Sequence, residues 1–219
     1  HPYLVSFMQG GLVKQNPLTG HYELGPGALQ LGLAALQQLD PLTEASQEAA
    51  QLAAASDLSI ALAVWGQLGP TVVRLDEPRY PLHVNLRVGT VMSLFNTITG
   101  RVFAAYLPEK MVRSMLEDEH RRVVGGTSAS FDAPEVQALL SEIRATGMGR
   151  GVSMPQPGVN TLCAPVFDAA GHIALVMTMI GPQGVFDAEI DSAAGELLRQ
   201  HARRTSLRLG HSVLTTAIG

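Results

Sequence analysis

Residues 158 to 182 read GVNTLCAPVFDAAGHIALVMTMIGP, two apolar runs around the turn tetrapeptide Asp168-Ala169-Ala170-Gly171. Their length and content predict two long strands, 159 to 167 and 172 to 180, joined as a hairpin. Alternation puts Val159, Thr161 and Cys163 on one face of the first strand. It puts Val176, Thr178 and Ile180 on one face of the second. An apolar wall with a few hydroxyls is how a small-molecule pocket is lined. A sheet face covered by a helix looks the same, so both readings stand at this point.

Outward from this hairpin, strand and helix signals alternate. Ile60, Leu62 and Val64 mark one face of a strand, Gly66 to Pro70 a turn, and TVVRL the returning partner. Residues 83 to 88, HVNLRV, read as a further strand by strict alternation. Helices are predicted over 96 to 106 and from Pro108 to about Glu119. Asp132-Ala133-Pro134-Glu135 supplies the acceptor and the glutamate of a capping box. The apolar stripe Val136, Leu139, Leu140, Ile143 follows and stops at Gly147. Asp187 is read as the cap of a last helix reaching Leu209, with Ile190, Ala194 and Leu197 inward. Strand hairpins with helices between them predict an α+β domain, a mainly antiparallel sheet flanked by helices.

The first forty residues differ in kind. Leu4, Phe7 and Met8 have helical spacing that Gly10-Gly11 ends, Leu12 to Lys14 reads as a short strand, and Asn16-Pro17-Leu18-Thr19-Gly20 is turn chemistry before a return strand at 21 to 24. A second helix runs from Pro26 to Leu39, with Leu29, Leu33 and Leu36 on one face. Asp40-Pro41 then interrupts and restarts a helix, aspartate as N-cap and proline at the first helical position, lined by Leu42, Ala45, Ala49 and Leu52. The domain boundary is placed near residue 40. A hairpin and two helical turns are too small to stand alone.

Composition narrows the function classes. With 46% hydrophobic and 16% charged residues over 219 positions, the chain is globular rather than disordered. No run of about 18 apolar residues is present, so no transmembrane helix is expected. No signal peptide is visible, and the lone Cys163 excludes an intrachain disulfide framework, which fits a reducing, cytoplasmic setting. Lys14 is the only lysine or arginine before residue 40, so any polyanion partner of that segment must find most of its counter-charge elsewhere. No Walker loop, G-x-G-x-x-G, H-E-x-x-H or C-x-x-C occurs, and no cofactor is expected.

The histidines are scattered without metal-ligand spacing on any one helix, and no metal is expected; a zinc site assembled from distant parts is the alternative. His83 and His172 read as outward strand residues, and EDEHRR at 117 to 122 as a solvated helix end. Cys163 reads as a small buried hydrophobe. The stretch SLFNTITGR, 93 to 101, puts polar residues at the start of an apolar helix. Free N–H groups there would attract an organic carboxylate; ordinary capping by Asn96 or Thr97 explains the same residues.

Several segments together resemble the IclR family of transcriptional regulators. GGLVKQNPLTGHYELGPGALQLG, 10 to 32, resembles the end of its winged helix-turn-helix, with a T-G-x-Y-x-L-G wing and linker. RVGTVMSLFNTITGR looks like its R-x-G-x-x-x-P-L-H-A-T-A-x-G-K segment, and EIRATGMGRG is similar to I-R-x-x-G-Y-A. The opening hairpin stretch is similar to G-V-x-x-I-A-A-P-V-F-D-x-x-G-x-x-x-A-x-x-x-x-G-P. The resemblance covers residues 3 to 210 and implies that the chain begins partway through its recognition helix, ~50 residues of the reader head preceding it. On that reading the 219 residues alone are expected to bind operator DNA poorly.

The resemblance implies residues 1–25 as the end of the DNA-binding domain, 26–39 as a linker helix, 40–210 as a GAF-like effector-binding domain and 211–219 as a tail. It implies a homodimer or homotetramer that contacts operator DNA, with Lys14, Asn16, Thr19 and His21 on the wing. It also implies an effector site at Leu94, Phe95, Asn96, Thr97, Gly100, Met148, Gly151, Thr161, Cys163, Thr178 and Ile180, taking a small organic acid. The chain departs from the pattern at Gly151, where an acidic residue is expected, at Ile180 for a serine, and at Asn96-Thr97-Ile98 for Ala-Thr-Ala. With Met148, Met154, Met177 and Met179 near in sequence, these losses point to an aromatic or hydrophobic carboxylate. Two rivals are weighed: a GAF-type reductase or cysteine hydrolase using Cys163, and a ligand-free oligomerisation module.

Overall fold

The computed structural model describes residues 2–78, 86–122, 130–154 and 156–212, with backbone alone for 35–38. Two compact units divide at the Asp40–Pro41 junction, His1–Asp40 and Pro41–Gly219.

In the first unit, helix α1 (Pro2–Gln9) leads into strands β1 (Val13–Gln15) and β2 (Tyr22–Leu24), then helix α2 (Pro26–Gln38). Gly11 takes φ +68°, so the Leu12 N–H reaches back to the Phe7 carbonyl and α1 stops. Asn16 shapes the hairpin turn, its Oδ1 accepting from Leu18 N–H at 2.9 Å and Thr19 N–H at 3.3 Å. Gly25 is required by closeness, because an added Cβ would overlap the Gly11 carbonyl. The side chain of Leu36, expected on the apolar face of α2, lies outside the described residues, as do His83 and most of the tail, 213–219.

The second unit opens with α3 (Pro41–Ser56), followed by the hairpin β3 (Ser59–Gly66) and β4 (Gly69–Asp76). Helices α4 (Ile98–Tyr106), α5 (Glu109–Arg122) and α6 (Pro134–Thr146) precede a short β5 (Gly149–Gly151). The long hairpin β6 (Val159–Phe167) and β7 (Ile173–Pro182) and the last helix α7 (Ala193–Arg208) complete it. The strands form one antiparallel sheet in the order β4-β3-β7-β6-β5, which is the α+β arrangement of a sheet flanked by helices. The β6–β7 register pairs Thr161 with Ile180 and Cys163 with Thr178, so the face read from alternation is one continuous surface.

That surface carries Ala61, Ala63, Thr161, Cys163, Val176, Thr178 and Ile180, and α4 lies against it through Ile98, Thr99, Val102 and Phe103. The opposite face, by alternation, presents Ile60, Leu62, Leu162, Leu175, Met177 and Met179, all buried, toward α3 and α7. At the α3–α7 seam Glu48 is 1% exposed, with His201 Nδ1 at 2.6 Å and Arg208 Nη2 at 3.0 Å. Charges this deep survive only when paired.

Four local expectations are corrected. Residues 86–88, the described end of the expected strand 83–88, are not strand; 83–85 lie outside the described residues. Asp132 does not cap α6: the N-cap is Ala133 with no side-chain bond, because Arg113 takes the Asp132 carboxylate in a bidentate pair. Ser192, not Asp187, caps α7 by accepting from Gly195 N–H at 3.1 Å. The buried stripe of α7 is accordingly Leu198, His201, Ala202 and Thr205, leaving Ile190, Ala194 and Leu197 half-buried.

Candidate functional site

Helix α4 begins at Thr97, whose Oγ1 accepts from Gly100 N–H at 3.0 Å and donates to the Ser93 carbonyl at 2.7 Å. The loop before it is held at two further points. Arg101 Nε donates to the Phe95 carbonyl at 2.8 Å, and Glu119 accepts from Leu94 N–H at 3.0 Å. Gly100 permits this close loop, since an added Cβ would overlap the Ser93 carbonyl oxygen and come within 2.6 Å of the Leu94 oxygen. Gly149 and Gly151 let α4 lie directly on β5: a Cβ at the first would meet Ile98 and Val102 at 2.7 Å, and one at the second Ile98 at 2.6 Å.

Between the start of α4 and the β6–β7 hairpin lies a cavity of about 100 Å³. At ~10–15 Å³ of free volume per water, that is room for on the order of seven to ten waters, or a ligand of about as many heavy atoms. Its walls are Leu86, Met92, Ile98, Val159 and Ile180; its polar groups are Thr97, Thr99, Thr161, Thr178 and Gln156. Among the described residues no Lys, Arg, His, Asp or Glu lines it. The first-turn N–H groups of Ile98 and Thr99 have no acceptor within the helix, and both residues line the cavity.

Thr99 and Thr178 on the wall and Cys163 behind it form a triangle. Thr99 Oγ1 is 3.0 Å from Thr178 Oγ1 and 3.6 Å from Cys163 Sγ, and Cys163 Sγ is 3.4 Å from Thr178 Oγ1. Burial pushes the Cys163 thiol up to about 11, against the two threonine hydrogen bonds, which favour its thiolate. A neutral buried thiol is a poor nucleophile. Among the described residues no group of three His, Cys, Asp or Glu side chains is placed to hold a metal ion.

Of the residues singled out from sequence, Thr97, Thr161, Thr178 and Ile180 come together on the cavity wall, with Cys163 directly behind. Leu94, Phe95 and Met148 are buried in packing away from it, Asn96 is exposed, and Gly100 and Gly151 act through the close approaches they allow. Met177 and Met179 alternate onto the α3–α7 face, so the methionine argument for a larger pocket does not apply to them; Met92 is the methionine on the wall. Thr99 was not singled out. Its signal was present, since Thr99, Val102 and Phe103 share helical spacing toward the sheet. EDEHRR is more than a solvated end, because Glu119 holds the loop and Arg122 Nη2 donates to the Leu68 carbonyl at 2.9 Å.

In the first unit, Lys14 pairs with Glu23 at 3.5 Å, and Asn16 Nδ2 donates to the same carboxylate at 2.9 Å, which with Lys14 holds Glu23 below the usual carboxylate range. Thr19 Oγ1 accepts from His21 N–H at 3.3 Å, so these residues share one exposed hairpin end.

Residues 33–207 match the family model for the C-terminal domain of the bacterial transcriptional regulator IclR. The chain belongs to the IclR family. The crystal structure of HmgR from Pseudomonas aeruginosa superimposes with a TM-score of 0.87 at 38% identity, covering 97% of this chain and 84% of that one. The HTH-type transcriptional regulator KdgR of Dickeya chrysanthemi is 24% identical over 210 residues, 95% of this chain and 68% of that protein. The glycerol operon regulatory protein of Streptomyces coelicolor is 29% identical over 172 residues, 77% of this chain and 65% of that protein. These IclR-family relatives are transcriptional regulators rather than enzymes, and membership implies binding of DNA and of a small-molecule effector. No described helix is long and apolar enough to cross a membrane.

Proposed function

We propose that this protein is a DNA-binding transcriptional regulator whose operator affinity is set by a small organic acid held in the α4 cavity. The observation that carries the reading is that mostly apolar cavity, with hydroxyls on its wall and the first-turn residues Ile98 and Thr99 of α4 in its lining. Among the described residues the lining offers no side-chain counter-ion for a carboxylate. The helix start supplies the compensating field, ~0.3–1 kcal/mol and up to about 2 where partly buried. The apolar walls favour an aromatic or hydrophobic acid. The burial and raised pKa of Cys163 argue against the cysteine-hydrolase rival.

Residues 1–25 belong, on this reading, to a winged helix-turn-helix, with Lys14, Asn16, Thr19 and His21 facing DNA, and α2 connects it to the sensing domain of a homodimer or homotetramer. The effector changes operator affinity only through unequal affinity for two arrangements of the reader domains; a ~100-fold preference supplies about 2.7 kcal/mol.

A thermal-shift screen with aromatic and aliphatic acids tests the sensing half. A ligand that selects the native state raises the midpoint by mass action. The expected hit stabilises the wild type and loses most of its effect in Thr178→Val, which itself folds. A screen without hits, or a shift untouched by Thr178→Val, overturns the site.

A further inference from the structure

Strand β5 pairs with β6 only at 161–163, so among the described residues no strand lies beside 164–167 on that side. A cavity of about 200 Å³ opens there, against about 100 Å³ at the start of α4. Its floor is Ala164, Pro165, Phe167 and Ala202, with Tyr106 beside them. Phe167 stands edge-on to Tyr106, the ring centroids 5.1 Å apart, and the His211 ring lies 5.3 Å from Phe167. The Phe167 N–H is spent on Ser206 Oγ at 3.0 Å, so the floor offers a ligand an apolar, aromatic surface. Helix α4 therefore touches two cavities, with Thr99 of its first turn in one and its last residue, Tyr106, in the other. The helical rise between those residues is about 10 Å.

The two linings differ in charge. Arg199, Arg203 and His211 line the second cavity, and among the described residues no aspartate or glutamate does. Arg199 and Arg203 stand four residues apart on α7, a spacing at which like charges repel. Arg199 is partly answered by Glu196 at 2.6 Å and Asp191 at 4.0 Å, whereas exposed Arg203 has no acidic partner among the described residues. The carbonyl ends of α4 and α6 also reach this place, and each has an acceptor already taken. Arg144 Nε donates to the Ala105 carbonyl at 2.7 Å, and Tyr106 Oη to the Ile143 carbonyl at 3.3 Å. The uncommitted charge at the mouth is thus positive.

We propose that this cavity is a second ligand site, for a compact phosphomonoester that carries a flat ring. The proposal does not depend on acid binding at the start of α4. A phosphoryl group holds close to two negative charges near neutral pH and three acceptor oxygens, which suits a pair of guanidiniums with a histidine beside them. A lone carboxylate is satisfied by one guanidinium and leaves the other unanswered. The ring takes the apolar floor beside Phe167. At ~10–15 Å³ per water-sized position the cavity has room for on the order of thirteen to twenty heavy atoms, so phenyl phosphate, with about eleven, fits.

The test is calorimetric titration of the 219-residue chain at fixed salt with phenyl phosphate, inorganic phosphate and benzoate. Phenyl phosphate is expected to bind about tenfold tighter than inorganic phosphate, which has the charge without the ring. Arg203→Gln, at an exposed position that leaves the fold intact, is expected to weaken phenyl phosphate at least tenfold, the scale of a lost charge-assisted contact. The same variant leaves benzoate binding unchanged. Thr178→Val, at the other cavity, is expected to leave phenyl phosphate affinity within about twofold. No binding of phenyl phosphate, or binding indifferent to Arg203→Gln, overturns the proposal. Equal affinity for inorganic phosphate reduces the site to a charged surface, and loss of phenyl phosphate binding in Thr178→Val moves the ligand to the α4 cavity; either result overturns it too. Benzoate that matches phenyl phosphate and shares its dependence on Arg203 overturns the choice of a phosphomonoester.

Discussion

On the α3–α7 face of the sheet, Glu48 sits 1% exposed between His201 at 2.6 Å and Arg208 at 3.0 Å, with Arg204 at 3.9 Å. On the α4 face, the buried polar groups are the neutral Thr99, Thr178 and Cys163 at 3.0–3.6 Å beside a cavity of about 100 Å³. Both faces bury polar atoms and both satisfy them. The first does so by holding the Glu48 carboxylate against His201 and Arg208, which binds two helices together. The second uses neutral hydroxyls and a thiol beside a cavity that Thr99 and Thr178 line, which suits an uncommitted site. Buried charge belongs where nothing is to be bound or released, because removing one partner leaves an uncompensated ion; hydroxyls tolerate a guest at small cost.

The contrast can be broken most forcefully at Glu48. Glu48→Ala is expected to lower unfolding free energy by about 1–3 kcal/mol in urea titrations, the scale for leaving buried hydrogen-bonding groups without their partner, while leaving acid affinity in the folded protein within about twofold. A loss under about 1 kcal/mol would make the seam an ordinary surface network.

Cys163 sharpens the other side through pH. Its thiol is raised from 9.0 to about 11 in the fold. The neutral form is favoured by folding, so this stabilisation is complete below about pH 9 and gone once pH has risen past about 11. Two pKa units correspond to roughly 2–3 kcal/mol. Wild-type stability is therefore expected to fall more steeply between pH 9 and 11 than that of Cys163→Ala, as read from denaturation midpoints across that range. Parallel curves would show the thiol to be unshifted.

In the first turn of α4, Gly100→Ala is expected to destabilise by about 1–3 kcal/mol, because the added methyl meets the backbone of Ser93 and Leu94 rather than a side chain that can turn away. It is also expected to weaken acid binding, and unchanged affinity would separate the loop from the site. The smallest effect belongs to the exposed hairpin. Lys14→Ala should cost well under 1 kcal/mol in stability, since its pair with Glu23 is solvent-screened. A larger loss on melting would mean that the ion pair, and not the glycine-rich packing at Gly25, holds that unit together.

Much of this contrast was legible in the residues. Period-two alternation in 159–180 located the sheet face that α4 covers, and Asp40-Pro41 and Gly147 marked real helix boundaries, because local backbone chemistry decides those features. What was hidden depends on how elements dock. Glu48 in a helix reading TEASQEAA looks solvated until α7 brings His201 and Arg208 onto it. Asp132 looks like a cap until Arg113, nineteen positions earlier, claims it. Strand β5 is Gly-Arg-Gly, with no β-propensity at all; its glycines answer to the closeness of α4. Thr99 carried a helical-face signal, but its worth as a wall residue appears only where it meets Thr178.

The most direct measurement is amide hydrogen exchange on the 219-residue chain, with and without a saturating acid found in the thermal-shift screen. Added protection is expected at 93–102 and along 159–163 and 176–180, with α3 and α7 unchanged. Protection centred on the Glu48–His201 seam, with the α4 loop unaffected, would contradict the assignment of the site to the hydroxyl-lined face.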